Sequence, residues 1–110
     1  MRYITHISYL SAIALSILCQ AAHADELTSM SEPDYGFDRQ GKDYRDFVPA
    51  TSDPTLCAEA CAKEIQCLAW SYNKPHSVKG APPHCWLKNA VPDKQAVSHA
   101  VSGIKILPNK

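Results

Sequence analysis

The chain has 110 residues with 11 basic and 11 acidic side chains, a formal net charge of +0. That length suits one small domain, and the balanced charge offers no basic face for nucleic acid. Five cysteines in so short a chain point instead to a covalently stapled core.

The first segment reads as a secretory signal. Met1-Arg2 supplies positive charge, Ile7 to Leu18 is mostly apolar, and Ala22-His23-Ala24 fits a small-x-small cleavage site. The apolar run is short of the roughly 20 residues that a spanning helix needs. Cys19 raises lipidation as an alternative, but Leu18 stands where a lipoprotein processing site favours a small residue. Residues 1–24 are therefore expected to be cleaved, with export to the periplasm or medium and no membrane insertion afterwards. Cleavage removes Cys19 and leaves Cys57, Cys61, Cys67 and Cys85, an even set that implies disulfides.

Residues 25–34 are polar and acidic without periodicity and read as a flexible leader. The domain proper is expected over 35–107, with 108–110 a tail. In Tyr35 to Phe47 the residues Phe37, Tyr44 and Phe47 are candidates to face the core, with a turn near Gln40-Gly41 and a strand near Asp43 to Val48. Ser52 and Asp53 are good helix caps and Pro54 suits the first helical position. A helix is expected from Pro54 to Glu64, with Leu56, Cys57, Ala60 and Cys61 as its inward stripe and Glu59, Lys63 and Glu64 towards water.

Cys67 to Asn73 changes to period two and reads as a strand, with Leu68, Trp70 and Tyr72 on one face. Lys74 to His84 is rich in Pro and Gly and reads as a loop. Cys85 to Lys88 is a short apolar strand. Asn89 to Ala100 is irregular and polar. Val101 to Leu107 is a closing strand in which Gly103 marks a bulge or a close backbone approach.

Four cysteines allow three pairings. Cys57 with Cys61 is the poorest, because side chains one helical turn apart offer bad disulfide geometry. Two pairings remain: 57–67 with 61–85, or 57–85 with 61–67. The second is the more natural, since Cys61 and Cys67 flank the helix-to-strand corner. A zinc site, even one including His84, is disfavoured because the spacing lacks C-x-x-C knuckles. A nucleophilic cysteine needs a free thiolate, and the even count leaves none spare.

These residues resemble the PAN/Apple superfamily, and most of all its short bacterial PAN modules. The likeness rests on Asp38, Gly41, Asp43, Tyr44 and Phe47; on Cys57 and Cys61; on Cys67, Ala69, Trp70, Ser71 and Tyr72; on Cys85-Trp86-Leu87-Lys88; and on Val101-Ser102-Gly103. The resemblance implies an α+β fold, a curved antiparallel sheet packed on a single helix. It also implies the pairing Cys57–Cys85 with Cys61–Cys67. The further cysteine pair that ties the terminal strands in many members is absent here, so those strands are expected to fray more easily. It implies a non-enzymatic module that binds a protein or a carbohydrate, with no cofactor.

Three features are candidates for that binding. Lys74, His76, Lys79 and His84 form a cationic loop without an acidic residue, suited to a carboxylate or a sulfated sugar. Against this stands a plain solvated connection. Trp70, Tyr72 and Trp86 could stack on sugar rings, although aromatic residues in a small domain mostly fill its core. Asp38, Asp43 and Asp46 lack the organised spacing of a calcium loop, so no metal is expected. The leading expectation is a protein partner, and a glycan held by the aromatic residues and the 74–84 loop is the alternative.

Overall fold

The computed structural model describes residues 29–108. The expected signal segment 1–24 lies outside the described residues. Six strands and one helix follow in chain order: β1 (Ser29–Met30), β2 (Asp34–Asp38), β3 (Asp43–Phe47), α1 (Thr55–Lys63), β4 (Ala69–Asn73), β5 (His84–Lys88) and β6 (Gln95–Ile106). The strands form one antiparallel sheet in the order β1-β6-β4-β5-β3, with β2 also paired to β6. The sheet curls around α1, so the described residues form a disulfide-stapled α+β fold with a single helix.

Helix α1 starts where the Ser-Asp-Pro signal places it. Pro54 already has helical backbone angles (φ −63, ψ −20), and its missing N–H is one of those left unpaired at any helix start. The Asp53 carboxylate accepts hydrogen bonds from the Thr55 N–H at 2.9 Å and the Thr55 hydroxyl at 2.8 Å. Those bonds hold the Asp53 carboxyl below its ordinary value. The helix ends at Lys63, because Glu64 turns to extended backbone.

The core lies between α1 and the facing side of the sheet. Residues paired across an antiparallel ladder share a face. Tyr72 is paired with both Cys85 and Val101, and Trp70 with both Leu87 and Gly103. Cys85 is bonded to Cys57 of α1, so this is the helix side. All these side chains are buried. The second disulfide, Cys61–Cys67, closes the helix-to-strand corner. Gly103 is placed by contact: a Cβ there would lie 2.7 Å from Trp70 Nε1.

Several expectations change. The leader expected over 25–34 enters the sheet from Ser29 onward, where Ser29 pairs with Ile106 and Met30 with Lys105. Its polar sequence hides this because two residues against a strand end carry no readable alternation. Gln95 to Ala100 belongs to β6, not to an irregular connection. Phe37 is half-buried beside β6, with the Lys94 ammonium 4.9 Å from its ring centroid, whereas Tyr44 and Phe47 do pack on the core. On α1 only Cys57 and Cys61 are fully buried, while Leu56 and Ala60 are half-buried. Finally, β4 is covered on both faces: Ser71 and Ala69 are as buried as Trp70 and Tyr72.

Candidate functional site

The side of the sheet away from α1 carries Asn73 of β4 with Trp86 and Lys88 of β5. The turn between β2 and β3 folds over it. Gly41 (φ 96) and Lys42 (φ 64) are consecutive left-handed residues in that turn. Glycine adopts that backbone without the Cβ penalty that other residues meet. The turn is fastened from below. The Lys88 ammonium donates to the Gly41 carbonyl at 3.1 Å and to Asp43 Oδ1 at 2.5 Å, and the Asn89 N–H donates to the Lys42 carbonyl at 3.0 Å. The Arg39 N–H donates to Asp38 Oδ1 at 2.8 Å and to Ser71 Oγ at 3.2 Å.

Between turn and sheet lies a cleft of about 230 Å³ lined by Asp38, Gln40, Gly41, Asp43, Asn73, Trp86 and Lys88. Its floor is the half-buried Trp86 indole beside the Lys88 ammonium, whose side chain is only 3% exposed. The walls are amides and carboxylates. Lys88 is tolerable in so dry a position because Asp43 neutralises it and the Gly41 carbonyl satisfies a second N–H.

The second concavity lies on the helix side. It measures about 360 Å³ and is lined by apolar Phe47, Val48, Pro49, Ala50, Leu56 and Ala60. Charged Arg45, Glu59, Lys63 and Glu64 border it. Glu64, expected to face water, is instead a junction. Its carboxylate accepts the Tyr44 hydroxyl at 2.9 Å and is forked by the Arg45 guanidinium, while its backbone carbonyl accepts the Lys105 ammonium at 2.8 Å. The Arg45 hydrogen bond is the main reason that the Glu64 carboxyl sits below its ordinary value. Burial, and then the bond to Glu64, push the Tyr44 phenol up to about 12. Burial alone accounts for the lowered Lys105 ammonium.

The sequence candidates separate in space. Lys74, His76 and Lys79 are exposed on the loop after β4, which is folded back by the His76 N–H donating to the Ala81 carbonyl at 2.8 Å. His84 is not part of that loop. It begins β5, where its Nε2 lies 2.7 Å from Asp46 Oδ1 and its ring centroid lies 4.5 Å from that of Trp86. None of the four lines the cleft. Lys74 borders a different cavity beside Tyr35 and Tyr72. Of the aromatic candidates, Trp70 (0% exposed) and Tyr72 (2%) are core residues and cannot stack on a ligand. Trp86 alone of the three lines the cleft. Of the three aspartates, Asp43 is bonded to Lys88 and Asp46 to His84. Among the described residues no group of three or more His, Cys, Asp or Glu side chains is placed to hold a metal ion.

Gln40, Asn73 and Lys88 escaped the sequence reading as site residues. The readable signal was a lysine closing the apolar Cys-Trp-Leu-Lys strand with Asp43 far upstream. Only the β3–β5 register, Asp43 opposite Lys88, joins them.

No curated protein matches the chain. Residues 37–88, which run from β2 through α1 to the end of β5, match the family model described as PAN domain. The two disulfides, the curled antiparallel sheet and the single helix agree with that match, and the chain therefore carries a PAN module of the PAN/Apple superfamily, a family of protein- and carbohydrate-binding modules.

Proposed function

We propose that the protein is an exported, non-catalytic module that binds a protein partner, with the apolar groove between β3 and α1 as its contact surface. The observation that carries this reading is the lining of that groove. Val48 is 54% exposed there, and Ala50 in the same lining is exposed as well. Neither side chain contributes to the core. Solvated aliphatic side chains around a preformed concavity are what a partner's apolar anchor would cover. At about 360 Å³ the groove suits one or two aliphatic side chains. The one aromatic ring in its lining, Phe47, is capped by the Arg45 guanidinium 4.9 Å from the ring centroid, which disfavours sugar stacking there. Two disulfides suit an oxidising compartment, and no helix among the described residues is long and apolar enough to cross a membrane.

The test is photo-crosslinking in the producing cell, with a photoreactive side chain at Val48 and, as a control, at exposed Val78 on the other loop. The expected result is a discrete protein adduct at position 48 only, lost when Leu56→Asp is added, on a chain whose mass begins at Asp25. Equal adducts at both positions, or none, would overturn the groove. A chain that keeps residues 1–24 in the cell would overturn export.

A further inference from the structure

We propose that the cleft on the opposite side of the sheet binds a protonated primary amine on an aliphatic stem, the side chain of a lysine presented by a protein. The inference concerns a different surface from the groove and stands or falls separately from it.

The charge balance of the cleft gives the first reason. It is lined by two carboxylates, Asp38 and Asp43, against one ammonium, Lys88. Lys88 and Asp43 are already paired at 2.5 Å. Asp38 accepts only the Arg39 backbone N–H and has no ion-pair partner among the described residues. The lining therefore retains one uncompensated negative charge. An anionic ligand would meet that charge unassisted.

Hydrogen-bond capacity gives the second. A carboxylate only accepts, and an ammonium only donates through three N–H groups. Lys88 directs two of its three at Gly41 and Asp43. Acceptor positions on Asp38, Asp43, Asn73 and Gln40 thus outnumber the free donors. A group that donates three times and accepts nothing complements this surplus better than a hydroxyl, which brings an acceptor with every donor.

The third reason is Trp86. Its half-buried indole lines the same cleft, and an indole face attracts a cation, most strongly when water is excluded. The His84 ring packs beside the indole, its centroid 4.5 Å away at an interplanar angle of 40°. At about 230 Å³ the cleft is smaller than the usual site for a drug-sized ligand and suits the end of one extended side chain.

The probe is Nα-acetyl-lysine methylamide, titrated into the oxidised protein and followed by the NMR shifts of the Trp86 indole N–H and the Asn73 side-chain amide. Buried Trp70 serves as the internal reference. Saturable millimolar binding is expected. It should be lost when the probe's ε-amine is acetylated and should weaken about tenfold in Asp38→Asn, the scale of one charge-assisted contact. Gln40→Ala is the second variant, on an exposed position that leaves the fold alone, and Lys74→Gln is expected to change nothing. No saturable shift, equal binding of the acetylated probe or of norleucine methylamide, or an unaltered affinity in both cleft variants would overturn the proposal. A neutral methyl pyranoside that binds more tightly than the lysine probe would also overturn it and assign the cleft to sugars.

Discussion

At the scale of single residues, the closest constraint is Gly103 against Trp70. The β4–β6 register puts the glycine directly opposite the tryptophan on the helix side. A Cβ there would lie 2.7 to 2.8 Å from three atoms of the indole. Trp70 is fully buried and hemmed by Leu87 and the disulfides, so the ring has nowhere to retreat. Gly103→Ala should destabilise the domain by about 2 kcal/mol, the middle of the range for overpacked cores, read as a lower urea midpoint at unchanged slope. A midpoint equal to wild type would show that the indole can move. The sequence carried half of this. A glycine inside an apolar strand announces close approach, but Trp70 as the approached group comes only from the pairing of β4 with β6. In the same way, Trp70 and Trp86 look alike in sequence. They differ because the β4–β5 register pairs Trp70 with Leu87 and Trp86 with Ser71, so one indole faces α1 and the other faces the cleft.

At the scale of elements, Glu64 is where the end of α1 meets β3 and β6. The folded Tyr44 phenol, at about 12, lies above its ordinary value of about 10. As pH rises the unfolded chain loses this proton first, so the contribution is complete below about pH 10 and disappears towards about 12. For Glu64 the sign is opposite. Its folded carboxyl is depressed, chiefly by Arg45, so its contribution is present above the ordinary glutamate range and is lost as pH falls through the folded value. Glu64→Gln removes the charge while leaving an acceptor for Tyr44. The phenolate absorbance titration should then show the Tyr44 step moving down in pH, and the acid limb of the stability curve should flatten. An unmoved step would mean that burial alone holds the phenol up. Helix α1 and strands β3, β4 and β5 were legible because each carries a local signal: a Ser-Asp-Pro start, period-two alternation, or bounding turns. Strand β2 was not, because Gly36 (φ 83) breaks its alternation and its register with β6 shifts between Tyr35 and Phe37. Gln95 and Ala96, at the start of β6, pair with β2, and Gln95 to His99 is mostly exposed, so no hydrophobic pattern marks this half. The cleft was illegible for a related reason: its lining comes from four strands and a turn that meet only through register.

For the whole molecule, the two disulfides join the same layers but close loops of very different length. Cys57–Cys85 spans 28 residues and encloses most of α1, β4 and the loop between β4 and β5. Cys61–Cys67 spans six, around the helix-to-strand corner. In the chain-entropy view a longer closed loop removes more freedom from the unfolded chain, about 3.6 kcal/mol for the first and about 2.4 for the second. Together these are comparable with the entire stability of a small domain, about 5 to 15 kcal/mol. All four disulfide-bonded cysteines are fully buried, so replacing either pair by alanine removes similar packing, and the difference between the two variants isolates loop length. Cys57→Ala/Cys85→Ala should therefore be less stable than Cys61→Ala/Cys67→Ala by about 1 kcal/mol, and reduction of both bonds should unfold the domain. The urea midpoints of the two double variants decide it. If the corner pair costs more, then the bond acts by holding α1 at its angle to β4 and not by limiting the unfolded chain. If reduction unfolds the domain, the groove between β3 and α1 and the cleft beneath the β2–β3 turn are lost with it. Binding by either surface should consequently be lost on reduction in parallel with the near-ultraviolet signal of buried Trp70, which ties recognition to an oxidising compartment through the fold itself.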